Sequence, residues 1–326
     1  MTLACSTISR QVGESLPGTA PTALTWIVVE HPGPWGRDAL QDAVMTPRAR
    51  AALHGLKSAG IGVLLARRPS LRAESSRAAM RTGHEVLVAR SAPGGSLLRR
   101  LHVDDIADLA TWDADAIADG QVPAMGALEG PRVLLVCTQG RRDACCATYG
   151  RTLLSALQRV LADRPQQQPG VEVWESSHIG GHRLAPVTLA LPSGAVHGRL
   201  DASQAGQLLD AVAHDAVLLE YLRGRTALSA PLQAADVAVR TLIDEDAAEA
   251  VDVLLRTPER AVVARHDWLP TTDVVQAEVR HTDGRAWHVE VRHSPTGVVR
   301  PESCGKEPVP VVTWEVVDVA VARPWT

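Results

Sequence analysis

The sequence predicts an α/β protein, because apolar segments of strand length alternate with segments of helical period along the first two thirds of the chain. Glycine and proline also cluster in 119–132 without periodicity, which indicates a break between two units. Near the C-terminus, Asp283 and Gly284 separate two alternating segments, which is typical of a β-hairpin. We therefore expect three domains, over residues 1–130, 131–225 and 226–326.

The first domain is predicted to hold one sheet with helices packed on it. Its strands are apolar and rich in branched residues, whereas its helix repeats apolar residues with helical period. In chain order, we expect a strand in TALTWIVVEH (22–31), a helix over 37–60, and strands over 61–68, 84–91 and 96–103.

The second domain repeats this pattern in the order β-α-β-β-α, which is the order of a thioredoxin-like domain. The first domain is interpreted as a related, degenerate unit. We expect a strand in RVLLVCTQ (132–139), a helix over 151–163, a strand over 171–176, an antiparallel pair over 186–194 and 195–200, and a long helix over 202–222.

The third domain is predicted to be a small α+β unit. A helical pattern covers 233–255, and the hairpin around Asp283 and Gly284 covers 275–294. A final strand over 309–321 would complete the sheet.

Composition excludes several function classes. The 326 residues are 45% hydrophobic and 21% charged, as in soluble globular proteins, and the net charge of −4 argues against a nucleic-acid binder. No apolar run approaches the ~20 residues of a membrane span, and the N-terminal segment does not resemble a secretory signal. We therefore expect a cytoplasmic protein without membrane contact. In a reducing compartment, its five cysteines are metal, redox or core groups rather than disulfides.

One cysteine segment has the features of a metal or redox site. Cys137 ends a predicted strand, and Asp143 is a good N-cap for the helix that follows. Cys145 and Cys146 then lie in the first helical turn, where amide dipoles favour a thiolate. Cys5 and Cys304 have no partner at metal-ligand spacing and are interpreted as structural or incidental.

Two histidines complete a possible ligand set. His178 and His182 flank a Gly-Gly pair, so that the chain contains a C-x8-C…H-x3-H pattern. This donor set fits a Cys2His2 zinc site or a [2Fe-2S] cluster with two histidine ligands, as in Rieske centres. The wide cysteine loop and the glycines, which permit close backbone approach, favour the cluster.

A thioredoxin-like thiol enzyme that uses Cys145 and Cys146 is a third hypothesis. Adjacent cysteines form only a strained disulfide ring, unlike C-x-x-C redox pairs, and this disfavours it.

At this point the motifs resemble a known family. VLLVCTQGRRDACCATYGR (133–151) and VWESSHIGGHRLAPVTLALPSGAVHGRL (173–200) are similar to the sucrase/ferredoxin-like family, and the similarity extends over about residues 5–225. Members are thioredoxin-like [2Fe-2S] proteins. The resemblance implies that the cluster ligands are Cys137, Cys146, His178 and His182, with Cys145 as an alternative to Cys146.

The resemblance also implies one-electron transfer by a carrier rather than a stand-alone enzyme. The implied electron donor is an NAD(P)H-dependent flavin or ferredoxin reductase, and the acceptor is unidentified. Neutral histidine ligands raise the reduction potential relative to cysteine. A histidine ligand exposed at its second nitrogen would couple reduction to protonation, by up to ~59 mV per pH unit.

Overall fold

The computed structural model describes residues 3–69, 83–123, 132–164, 170–257, 260–262, 266 and 268–322. Over these ranges, the strands form a nine-stranded sheet and a five-stranded sheet, and helices pack on both. None of the helices in the described ranges has both the length and the apolar character that a membrane span needs.

The first unit contains the predicted strands, but its predicted helix is divided. Asp38 caps a short first part, and Thr46 caps the second part just before Pro47. Proline is favourable at the first helical position, so a new helix starts there. The elements are α1 Cys5–Gln11, β1 Thr25–Glu30, α2 Ala39–Asp42, α3 Pro47–Ser58, β2 Gly62–Arg67, β3 His84–Arg90, β4 Leu97–Val103 and α4 Ala114–Ala118.

The second unit has the same strand order as the first, with β5 over 132–137, β6 over 171–176, β7 over 187–191 and β8 over 195–198. Its strands run β6-β5-β7-β8 and those of the first unit β2-β1-β3-β4, with one parallel pair followed by antiparallel strands in each. This agrees with the predicted α/β, thioredoxin-like fold. The elements are β5 Arg132–Cys137, α5 Ala144–Asp163, β6 Val171–Ser176, β7 Val187–Leu191, β8 Ala195–Gly198, α6 Ala205–Ala213 and β9 Leu222–Arg225.

The two units meet edge to edge. Strand β2 pairs with β6 antiparallel, and Ser177 extends the contact by exchanging hydrogen bonds with the backbone of Leu65. The sheet therefore runs without interruption in the order β4-β3-β1-β2-β6-β5-β7-β8-β9. The division of the chain into three domains stays a prediction.

The helix expected over 202–222 is shorter in the structure. Helix α6 ends at Ala213, and Asp215 has a positive φ of 52° that a continuing helix cannot contain. The chain then turns back, and β9 pairs with β8 in the large sheet. Pairing with this sheet, which helical periodicity does not report, determines the conformation of the last residues.

The helix expected over 233–255 also ends early. Helix α7, Ala230–Ile243, stops at Asp244, whose φ of 53° is left-handed. The apolar residues that follow form strand β10, Val251–Arg256, which pairs with the first strand of the hairpin, β12, Val274–His281.

The C-terminal sheet packs on helix α7 and contains the predicted hairpin at Asp283 and Gly284. Its order is β11-β10-β12-β13-β14, with β11 Ala261–Val262, β12 Val274–His281, β13 Ala286–Pro301 and β14 Pro308–Val321. The turn between β13 and β14 reaches the start of α5, where Cys304 N donates to the Asp143 carboxylate at 3.0 Å. This long-range contact brings the C-terminal unit to the predicted cysteine segment.

A buried ion network joins the two sheets. Asp236 on α7 accepts hydrogen bonds from Arg225 on β9 and from Arg240, and all three side chains are at most 2% exposed. Arg225 also donates to the backbone carbonyl of Val251 on β10. The network therefore ties the edge of the large sheet to the small one.

We expect Asp236→Asn to destabilise the protein by about 3–5 kcal/mol, because it leaves two buried guanidinium groups without a counter-charge. The free energy of unfolding in urea measures this. Asp210→Asn is the matched control, since it breaks an exposed pair with Arg164 and should cost less than ~1 kcal/mol. Equal losses in the two variants would contradict the role of the network.

His197 should make the protein sensitive to acid. Burial lowers its pKa to about 4, and its Nε2 accepts a hydrogen bond from Leu218 N. Between about pH 6.5 and pH 4 the unfolded state therefore binds more protons than the folded state. The unfolding free energy therefore decreases as the pH is lowered through this range, by at most about 3 kcal/mol. In His197→Gln, the unfolding free energy should depend less steeply on pH across this range. The exposed control, His214→Gln, should keep the wild-type slope, and an unchanged slope in His197→Gln would disprove the assignment.

Candidate metal centre

The two predicted cysteine ligands are buried against each other at the carboxyl end of β5, an interior strand of the large sheet. Cys137 ends β5, Cys146 lies in the first turn of α5, and each residue is 1% exposed. Asp143 is the N-cap of α5, as predicted, and accepts a hydrogen bond from Cys145 N at 2.8 Å. The strand end and the helix start therefore present both thiols to one point.

Gly150 permits this close approach of helix to strand. A Cβ at this position would lie 2.1 Å from the Cys137 carbonyl oxygen, closer than any real contact. Helix α5 therefore packs on the end of β5 only because a side chain is missing there.

The two predicted histidine ligands lie in the loop after β6. His178 Nδ1 is 3.8 Å from Cys137 Sγ and 3.9 Å from Cys146 Sγ. His178 Nε2 lies 3.3 Å from His182 Nδ1. Donor atoms of Cys137, Cys146 and His178 all lie within 4.8 Å of one another, and His182 adjoins this group through His178.

The donor set fits a tetrahedral metal or a mixed-ligand cluster. Two imidazole nitrogens that share one tetrahedral metal at ~2.0–2.1 Å are ~3.3–3.4 Å apart, which agrees with the separation of His178 Nε2 and His182 Nδ1. The other nitrogen of His182, Nε2, lies 3.7 Å from the Asp143 carboxylate. Two thiols and two imidazoles suit zinc and iron–sulfur chemistry equally well.

The cysteine pair favours one thiolate. A hydrogen bond from Cys146, opposed by burial and supported by His178, holds the pKa of Cys137 well below its usual range. The same hydrogen bond and burial raise the pKa of Cys146. Because a thiolate is the metal-binding form of cysteine, Cys137 is prepared for ligation.

The side chain of Cys145 belongs to a different group. Its Sγ lies 3.5 Å from the Sγ atoms of both Cys5 and Cys304, and it contributes no donor to the group of Cys137, Cys146 and His178. The resemblance allows Cys145 as an alternative to Cys146. The geometry places Cys146 with Cys137 and His178.

Sequence reasoning missed Gln139, which holds three loops together. Its Oε1 accepts a hydrogen bond from His178 N at 2.7 Å, and its Nε2 donates to the carbonyl oxygens of Gly36 and Arg37. The only sequence signal is its position two residues after Cys137.

No sequence signal pointed to Arg223, which holds the histidine loop through a hydrogen bond to its backbone. It is 1% exposed and donates to the carbonyl oxygens of Gly180 and Thr19. Burial, followed by the nearby Arg183, lowers its pKa to about 9. A Cβ on Gly181, whose φ is 73°, would lie 2.5 Å from Arg223 Nη2, so this glycine makes room for the guanidinium.

A cavity of about 500 Å³ opens beside His182. The cavity is lined by basic side chains, which include Arg37, Arg142 and Lys306, and by acidic ones such as Glu302. Solvent therefore reaches this group of side chains from the side of His182.

The family described as sucrase/ferredoxin-like matches residues 16–224. No curated protein and no solved structure matches the chain. The matched range contains all four predicted ligands, and it leaves out Cys5 and Cys304.

We expect Gly150→Ala to destabilise the protein by about 2–3 kcal/mol, because the new methyl group forces α5 away from β5. The same shift separates Cys146 from Cys137, so affinity for Co²⁺, a probe of nitrogen–sulfur sites, should fall as well. Gly55→Ala is the matched control, since that helical glycine has open space around it and should stabilise by about 0.5–1 kcal/mol. Unfolding and Co²⁺ titrations distinguish the two, and a Gly150→Ala protein with wild-type values would contradict the packing argument.

Proposed function

The chain belongs to the sucrase/ferredoxin-like family, and from this premise we propose that it is a one-electron transfer protein that carries a [2Fe-2S] cluster. The proposed ligands are Cys137 and Cys146 on one iron and His178 and His182 on the other. When bound, the cluster would supply one-electron exchange between its all-ferric and mixed-valence states.

The observation that carries this proposal is that the Cys137 and Cys146 thiols meet the His178 imidazole, with His182 next to it. The cysteines lie 41 and 32 residues before His178, yet their sulfur atoms approach its Nδ1 to 3.8 and 3.9 Å. The nitrogen pair has the separation expected for one tetrahedral iron. A sulfur pair beside a histidine pair is the donor set of a two-iron cluster with one sulfur-ligated and one nitrogen-ligated iron.

The residues around the site fit this role. Burial is the main cause of the lowered pKa of His182, opposed by the Asp143 carboxylate, so this side chain offers a neutral imidazole. A neutral ligand places less negative charge on iron than thiolate does, which raises the reduction potential. Gln139 and Arg223 hold the histidine loop in place through backbone hydrogen bonds.

Electron exchange would use the histidine end of the site. His182 borders the cavity, whereas Cys137 and Cys146 are covered by protein. We propose an NAD(P)H-dependent flavin or ferredoxin reductase as the donor at this surface, with an acceptor of unidentified nature. The cavity carries both charge signs, so its electrostatics do not select a partner by net charge.

A structural Cys2His2 zinc site is the second candidate, because the same four donors suit tetrahedral zinc. A thiol enzyme based on Cys145 and Cys146 gains no support. The two side chains enter separate groups, and Cys145 lies 3.5 Å from Cys5.

Protein purified without oxygen should be red-brown, hold two irons and two sulfides per chain, and bleach with dithionite. His178→Cys and His182→Cys should each keep a cluster and lower its potential by on the order of 100 mV, because thiolate stabilises ferric iron. Redox titration followed by visible absorption measures this. The exposed His214→Cys serves as control and should leave the potential unchanged.

Two outcomes would count against the cluster. A colourless protein with zinc bound to all four residues would establish the second candidate. Wild-type potentials in both histidine variants would remove the histidines from the ligand set.

A further inference from the structure

Three cysteines that the proposed cluster does not use meet at one point. Cys5 comes from α1, Cys145 from the first turn of α5, and Cys304 from the turn between β13 and β14. Their Sγ atoms are 3.5 Å apart for Cys5 and Cys145, 3.5 Å for Cys145 and Cys304, and 3.6 Å for Cys304 and Cys5. Up to 299 residues of sequence separate the partners, so this meeting depends on the whole fold.

The triangle has the size of a metal site. Sulfur atoms bound to one tetrahedral Zn²⁺ at ~2.3 Å lie ~3.7–3.8 Å from each other. A disulfide would instead single out one pair, at ~2.05 Å, and leave the third thiol unused. The three nearly equal separations, with all five cysteines free, agree with a shared central ligand.

Asp143 supplies a fourth donor. Both of its carboxylate oxygens lie 3.9 Å from Cys5 Sγ, and its donor atom lies within 4.8 Å of the three sulfurs. Backbone N–H groups of Cys145 and Cys304 and the hydroxyl of Ser303 orient the carboxylate. Ligating carboxylates in metal sites are held by such hydrogen bonds.

The protonation states are compatible with metal binding. Burial opposes ionisation of Asp143, but the N–H groups of Cys304 and Cys145 outweigh it and lower the pKa to about 2. A hydrogen bond from Cys5, opposed by burial and supported by Ser6, lowers the pKa of Cys145 to about 6. The pKa of Cys5 is raised, chiefly by its hydrogen bond to Cys145, and that of Cys304 is raised, chiefly by burial, so metal binding has to displace these two thiol protons.

We infer that Cys5, Cys145, Cys304 and Asp143 form a second metal site, which binds a structural Zn²⁺. We assign zinc because three thiolates and a carboxylate in a tetrahedral arrangement suit this metal. The role is structural because the four ligands leave no open position for catalysis. On binding, each cysteine releases its remaining thiol proton to solvent, and Asp143 is already ionised. The ion clamps the N-terminal helix and the C-terminal hairpin onto the first turn of α5.

This site shares no donor with the proposed cluster. Cys145 and Cys146 are neighbours in sequence, but their thiols enter separate groups. Cys5 and Cys304 also lie outside the range that matches the family. The inference therefore stands on its own geometry and does not require the cluster.

Metal analysis of the full chain tests the inference. Zinc and iron are measured together in wild type, Cys5→Ser and Cys304→Ser. We expect each variant to lose one zinc per chain and to keep the visible spectrum and iron of the wild type. Cys304 is exposed, so its replacement leaves the core intact. Cys146→Ser is the reciprocal control, and it should lose the iron chromophore and keep this zinc.

Zinc-edge X-ray absorption of the unmodified protein gives a test that needs no variant. The inference predicts three sulfur neighbours at ~2.3 Å and one oxygen neighbour. A shell of nitrogen and oxygen atoms alone would mean adventitious zinc and overturn it. So would a zinc-free protein in which these three thiols react freely, a mass lower by two hydrogens from a disulfide, or iron in place of zinc at this site. If the cluster proposal fails because Cys137, Cys146, His178 and His182 bind zinc, wild type holds two zincs and Cys5→Ser holds one.

Discussion

The Asp143 carboxylate is the interaction on which the rest of the site depends. It begins helix α5 by accepting the N–H of Cys145, which sets Cys145 and Cys146 in one turn. Successive helical residues point about 100° apart, so the two thiols face different neighbours. The same carboxylate accepts the N–H of Cys304 and lies 3.7 Å from His182 Nε2. A single side chain therefore connects the helix start, the histidine loop and the C-terminal hairpin.

Around this carboxylate lie two groups of side chains that could each hold a metal ion. In the proposed arrangement, the buried thiols of Cys137 and Cys146 and the two histidines serve electron transfer. In the same arrangement, Cys5, Cys145, Asp143 and the exposed Cys304 would bind a structural ion that holds distant segments together. The separation has a physical reason. Neutral nitrogen ligands raise the potential of a cluster, whereas a structural ion needs a closed set of ligands.

Local sequence signals predicted much of the fold and of the candidate site. The strand pattern, the N-cap at Asp143 and the approach of Cys137, Cys146 and His178 all follow from periodicity, capping chemistry or ligand spacing within one unit. The helices predicted over 202–222 and 233–255 were too long, because pairing with distant strands determines β9 and β10. The role of Arg223 could not be predicted either, because its partners are in another part of the chain.

Cys5 and Cys304 show the same limit most clearly, since no spacing rule connects residues 299 positions apart.

Mössbauer spectroscopy of ⁵⁷Fe-labelled protein tests the proposed [2Fe-2S] cluster most directly. A cluster on Cys137, Cys146, His178 and His182 predicts two equal but distinct ferric sites in the oxidised protein, with the added electron on the nitrogen-ligated iron after reduction. Two indistinguishable iron sites, or no bound iron, would contradict it.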